Sequence, residues 1–132
     1  MRRSAVIVAL AICMFGCASE PERFEYSLAH ARICPKAQRV LSRQDIVDIA
    51  HVVAHATRQP IAGITIPAKL EAEHKIEVIT AYPGVMTMDS PSRELLGGCT
   101  LEKVGSTWTV IECSEGLSPG LAFTILSCVD SQ

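Results

Sequence analysis

Alternation between apolar and polar positions is clearest over LSRQDIVDIAHVVAHAT, residues 41–57. Ile46, Ile49, Ala50, Val53 and Thr57 recur at helical spacing, while Gln44, Asp48, His51, His55 and Arg58 fall on the opposite face. Ser42 stands where an N-cap is needed, with Asp45 three residues on as a short version of the capping box. Leu41 and Ile46 occupy the positions of a hydrophobic staple, and Pro60 stops the pattern. The expectation is an amphipathic helix that covers something apolar. Beyond Pro60 the period falls to two. ITIPAKL reads as a short edge strand interrupted by Pro67, and HKIEVITAY as a strand with Ile76, Val78 and Thr80 on one face. CTLEKVGSTWTVIEC reads as a hairpin turning at Val104-Gly105-Ser106. LAFTILSCV is a terminal apolar segment, strand or short helix, expected to dock on the core. Upstream, SLAHARICPKAQRV is ambiguous, and Pro35 excludes one continuous helix through it. PGVMTMDSPSRELLGG, residues 83–98, is a loop of about 15 residues, a length associated with function or disorder. A helix followed by antiparallel strands predicts an α+β domain: one main amphipathic helix on a small antiparallel sheet.

The N-terminus follows a different logic. MRRS is basic, AVIVALAICMF is apolar and uncharged, and GCAS is small, which is the layout of a secretory signal. The apolar run is too short to span a bilayer, which takes roughly 20 residues. Residues 1–16 are therefore set aside as a signal, and 17–132 form one small domain whose first part, 17–26, is expected to be a flexible polar tether. Two cleavage sites compete. Gly16-Cys17-Ala18 suits an ordinary cut after Ala18. Alternatively, MFGC resembles the lipobox of bacterial lipoproteins: Gly16 and Cys17 match it, Met14 stands where Leu is usual, and Phe15 where Ala or Ser is usual. That resemblance, the reading preferred, implies lipidation of Cys17 and a membrane anchor in the cell envelope. Ala18 after the cysteine then implies the outer membrane, facing the periplasm, rather than a free periplasmic protein.

Cysteine parity fits export. Of the six, Cys13 lies within the signal; with Cys17 lipidated or removed, Cys34, Cys99, Cys113 and Cys128 remain, an even set for two disulfides in an oxidising compartment. Of three connectivities, Cys99–Cys113 with Cys34–Cys128 is the expected one. The hairpin leaves the first pair open. A three-residue loop, Gly105 to Thr107, pairs 104 with 108 and places both cysteines on one face. A two-residue Gly-Ser loop pairs 104 with 107 and places them on opposite faces. The string LEKVGSTWTVIE resembles the L-x-K-x-G-x-x-W-x-V hairpin of small bacterial envelope proteins with cystatin-like or NTF2-like sheets, which implies a fold neighbourhood and no activity.

Charge and motifs narrow the function by exclusion. Net charge is −2, or −4 without Arg2 and Arg3, and six aromatic residues are scattered through the chain. Neither suits nucleic-acid binding. GLSPG, residues 116–120, matches the nucleophile-elbow pattern, but the residue after Ser118 is Pro119, which lacks the N–H an oxyanion hole needs, and no histidine follows it. HVVAH sets His51 and His55 one helical turn apart, a zinc-compatible spacing with Asp48 as a possible third ligand, yet Val52 stands where a metalloprotease has its glutamate. Met86 and Met88 supply thioethers of the kind that bind Cu(I). Glu71, Glu73, Glu77, Asp89 and Glu94 show no acid–base spacing, and no cofactor motif is present in the sequence. The expectation is a non-catalytic binding module for a partner protein, of inhibitor or immunity type, with residues 83–98 as the contact loop. The alternative is a periplasmic copper- or zinc-binding protein using His51, His55, Met86 and Met88. A hydrolase with dispersed residues ranks last.

Overall fold

A computed structural model describes residues 19–81, 96–115 and 127–128. The elements run α1 (Glu20–His30), β1 (Arg32–Ile33), α2 (Pro35–Val40), α3 (Arg43–Ala56), β2 (Ile61–Thr65), α4 (Ala68–Glu71), β3 (Lys75–Ala81), β4 (Leu96–Val104) and β5 (Thr107–Glu115). The five strands make one sheet in chain order, β1-β2-β3-β4-β5; β1 and β2 are parallel and the rest is an antiparallel meander. This is the expected α+β architecture. Among the described residues no helix is long and apolar enough to cross a membrane.

The helix read from periodicity forms as α3. Ser42 Oγ accepts from Asp45 N at 3.1 Å and Asp45 Oδ2 accepts from Ser42 N at 2.9 Å, a complete capping box. Ile49, Ala50, Val53 and Ala54 are buried, and the first three, with Ile61, Ile64, Ile76, Val78, Leu101 and Trp108, form the core between helix and sheet. Burying a branched aliphatic side chain is worth about 1.5–3 kcal/mol, so this face is the main reason the helix stays docked.

Two local expectations change. The segment 17–26, expected as a tether, becomes helical from Glu20 onward: Ser19 caps α1 through Glu22 N at 3.3 Å, Pro21 sits in the first turn, and Glu20 and Glu22 face the positive end of the helix dipole. Arg23 donates to Ala54 O at 2.8 Å, tying α1 to α3. Ser27 Oγ donates to Arg23 O and accepts from Ile61 N at 2.8 Å, tying α1 to β2. The strand expected over ITIPAKL starts earlier, at Ile61, and ends at Thr65; it lies between β1 and β3 rather than at an edge. Pro67 instead precedes the single turn of α4. Pro35 divides the ambiguous stretch as its chemistry requires, ending the extended β1 segment and opening α2 at its first position.

On β3, Ile76, Val78 and Thr80 are buried as expected, but Ile79 and Ala81 on the other face are buried as well. The loop expected over 83–98 lies outside the described residues except at 96–98, which are strand β4. The C-terminal apolar segment lies outside them apart from Ser127 and Cys128.

Both expected disulfides are present, Cys34–Cys128 and Cys99–Cys113. The hairpin combines parts of both alternatives. Its turn is the two-residue Gly105-Ser106 loop, with Val104 opposite Thr107. Gly105 takes φ +65 while Ser106 keeps a negative φ, the pattern of a type II′ turn. Cys99 nevertheless faces Cys113, because the register shifts at Thr100/Leu101: Thr100 pairs with Glu112 and Leu101 with Val110, leaving Ile111 as an extra residue. The bulge turns Cys113 onto the face where Cys99 sits. In chain-entropy terms the 94-residue separation of Cys34 and Cys128 makes that bridge the larger constraint, about 4.7 kcal/mol against about 3 for the hairpin.

Deleting Ile111 would restore a regular ladder while keeping Cys99 opposite Cys113. The deletion variant should retain both disulfides, giving a 4-unit mass gain on full reduction at about 2 mass units per bridge. A variant with free thiols at 99 and 113 would show that the bulge itself is needed to align them.

Candidate binding site

The side chain that joins most elements is Asp45, in the first turn of α3. Its Oδ2 belongs to the capping box. Its Oδ1 accepts from Lys103 Nζ at 2.9 Å and from Trp108 Nε1 at 3.1 Å. The carboxylate is 15% exposed, so burial pushes its pKa up; the hydrogen bonds from the Ser42 backbone, Lys103, Trp108 and the Ser42 hydroxyl outweigh that and hold it well below the ordinary carboxylate range. Trp108 is buried with its one polar atom satisfied, and the Lys103 ammonium lies 5.9 Å from its ring centroid, within cation–π range.

Beside this cluster opens a cleft of about 380 Å³. Its apolar wall is Val40, Leu41, Ile66, Ile76 and Trp108; its polar groups are Asp45, Glu71, His74, Lys75 and Lys103. The volume falls in the range of small-molecule sites. The acids are already engaged: Asp45 as above, Glu71 with Lys36 at 2.7 Å. Lys75 pairs with Glu73 at 3.0 Å, whose hydrogen bond and charge push the ammonium pKa up and keep it protonated. His74 holds a left-handed backbone, φ 57, where the chain leaves α4 and its N–H bonds Glu71 O at 3.1 Å. Histidine tolerates that region better than most side chains, and the turn brings it to the mouth of the cleft.

A second surface is the outer edge of the sheet. β5 is nine residues long and pairs with β4; among the described residues nothing pairs with its other edge. Thr109 and residues 111–115 are exposed, and Ile111 and nearby Val104 are exposed large apolar side chains at 45% and 61%.

The residues singled out for metal are not gathered into a site. His51 stacks on Phe24 of α1 with centroids 3.8 Å apart, and His55 pairs with Glu20 at 3.3 Å. Asp48 is held by Gln44 at 2.9 Å. Among the described residues no three metal-binding side chains converge. Met86, Met88 and Cys17 lie outside the described residues, as does the GLSPG motif. Sequence reasoning identified Asp45 as a cap but not as the acceptor for the hairpin. The available cue was that Lys103 and Trp108 flank a two-residue turn as a cross-strand pair.

No protein-family model, no curated protein and no solved structure matches this chain.

Asp45→Ala should cost about 2–4 kcal/mol, combining a lost cap with a buried indole N–H left without an acceptor. Because the folded-state pKa of Asp45 is depressed, its contribution is complete above the ordinary value of 3.8 and fades as pH falls below it. Urea denaturation from pH 7 down to pH 3 should therefore show the gap between wild type and Asp45→Ala narrowing below about pH 4. A gap that stays constant would mean the carboxylate charge contributes nothing.

Proposed function

We propose that this chain is an exported envelope protein, lipid-anchored through Cys17, that works by binding a partner protein and not by catalysis. The observation that supports binding is the edge of β5 that no other described strand pairs with. A strand edge offers alternating N–H and C=O groups to an extended segment of another protein, and edges that take no partner are often very short or covered. Here the edge carries Glu112 and Glu115, with exposed Ile111 between the paired stretches. The complementary partner is an extended segment with basic side chains opposite the two glutamates and an apolar one against Ile111. The two disulfides fit an oxidising compartment, and the signal with its MFGC sequence supplies the anchor. The inhibitor or immunity role belongs to this same reading.

Intact mass of the native protein recovered from membranes tests the anchor. A chain starting at Cys17 and carrying about three acyl groups is expected, since stable anchoring takes more than one chain. A chain starting at Ser19 and recovered in the soluble fraction would rule lipidation out. The edge is tested by in-envelope crosslinking from position 109. Ile111→Lys should abolish the crosslinked partner band while leaving the unfolding free energy within about 0.5 kcal/mol of wild type, as for a surface change. An undiminished band would place the interface elsewhere.

A further inference from the structure

The cleft beside Asp45 offers chemistry that partner binding at the sheet edge does not use. Its floor is apolar and its mouth is rich in donors. Lys103 Nζ gives one N–H to Asp45 and Lys75 Nζ gives one to Glu73, while an ammonium carries three. No hydrogen bond or ion pair engages the His74 ring among the described residues, and that ring is exposed. Of the acids at the mouth, Asp45 accepts from the Ser42 N–H, Lys103 and Trp108, and Glu71 Oε2 accepts from Lys36. A ligand that completes this site brings acceptor oxygens and negative charge to Lys75, Lys103 and His74, and an apolar body to Leu41, Ile66 and Ile76. At roughly 30 Å³ for each water-sized group, the cavity holds about a dozen.

We propose that this cleft binds a small single-chain amphiphilic carboxylate, of the size of a medium-chain fatty acid, with its head group at Lys75 and His74 and its chain along Leu41, Ile66 and Ile76. A cationic amphiphile of the same length is disfavoured there, because its head group would meet the ammonium charges of Lys75 and Lys103. The Lys75 ammonium is held by Glu73 at 3.0 Å, so that donor is placed before the ligand arrives, which lowers the ordering cost of binding.

The single tryptophan of the chain is Trp108, which lines the cleft, so its emission reports occupancy directly. Sodium decanoate, titrated into the purified full chain below its micellar range, should give a saturable change in emission. Decyltrimethylammonium should give none. Lys75→Gln and Val40→Asp should each weaken decanoate binding by about tenfold, the loss of one charge-assisted contact or of apolar wall. Val40 is 62% exposed, so its variant keeps the fold even if the Lys75 variant does not, and the melting curve of each is recorded alongside. Ile111→Lys should leave decanoate binding unchanged, which separates this site from the sheet edge. Equal responses to the two amphiphiles, a response that rises without saturating, or unchanged affinity in both cleft variants would each overturn the proposal.

Discussion

One carboxylate holds the two halves of this domain in register. The N-terminal half is helical and the C-terminal half is a meander, and their sequences meet at Asp45. One oxygen of Asp45 closes the first turn of α3 while the other takes N–H groups from both strands of the β4–β5 hairpin. A buried indole N–H without an acceptor costs about 1–3 kcal/mol, so Trp108 can enter the core only where such an oxygen waits. Apolar burial decides that helix and sheet pack; it is non-directional and does not decide how. The direction comes from this polar contact, which requires the start of α3 to sit over the turn end of the hairpin.

The hairpin shows how small backbone choices set larger geometry. A Gly-Ser pair in a type II′ turn fixes the pairing at Val104 and Thr107, and a strict ladder from there would leave Cys99 and Cys113 on opposite faces. The extra residue at Ile111 changes the parity beyond it, so that Trp108 and Val110 face the helix on one side of the bulge and Cys113 reaches Cys99 on the other. Close packing constrains the same strand further along. A side chain at Gly97 would lie 2.8 Å from Thr80 Oγ1 and 2.9 Å from Ser114 O, so only glycine lets β4 pass between its neighbours there.

What was legible in the sequence follows from which signals are local. The capping box, the staple and the apolar face of α3 are all encoded within seventeen residues, and the helix forms where they predict. The alternation of β3 marks a strand but conceals that Ile79 and Ala81 are also buried, because a period of two describes a strand with one wet face. The helix α1 was masked by its composition. EPERFEY is polar enough to read as a tether, yet Ser19 with Glu22 three residues on is a capping signature, and Phe24, Ser27 and Ala31 recur at helical spacing. The cleft was not legible at all. Leu41, Ile66, Ile76 and Trp108 come from four separate stretches, and no local pattern states that they share a wall. His51 and His55 show the reverse case: a suggestive local spacing whose side chains the fold commits to Phe24 and Glu20.

The two edges of the sheet are treated differently. On the β1 side the edge is only two residues long, the chain turns at once into Pro35 and α2, and Cys34 is bonded to Cys128. A short strand followed by proline offers little to an incoming strand. On the β5 side, nine residues of backbone run with no described partner, and both large apolar side chains near the hairpin point to solvent. The bulge at Ile111 and the negative charges of Glu112 and Glu115 are features that oppose pairing of such an edge with an identical one. Like charges brought together across two identical strands are destabilising, whereas a basic strand meets them favourably. The features that oppose self-association are therefore the same ones that would select a basic partner.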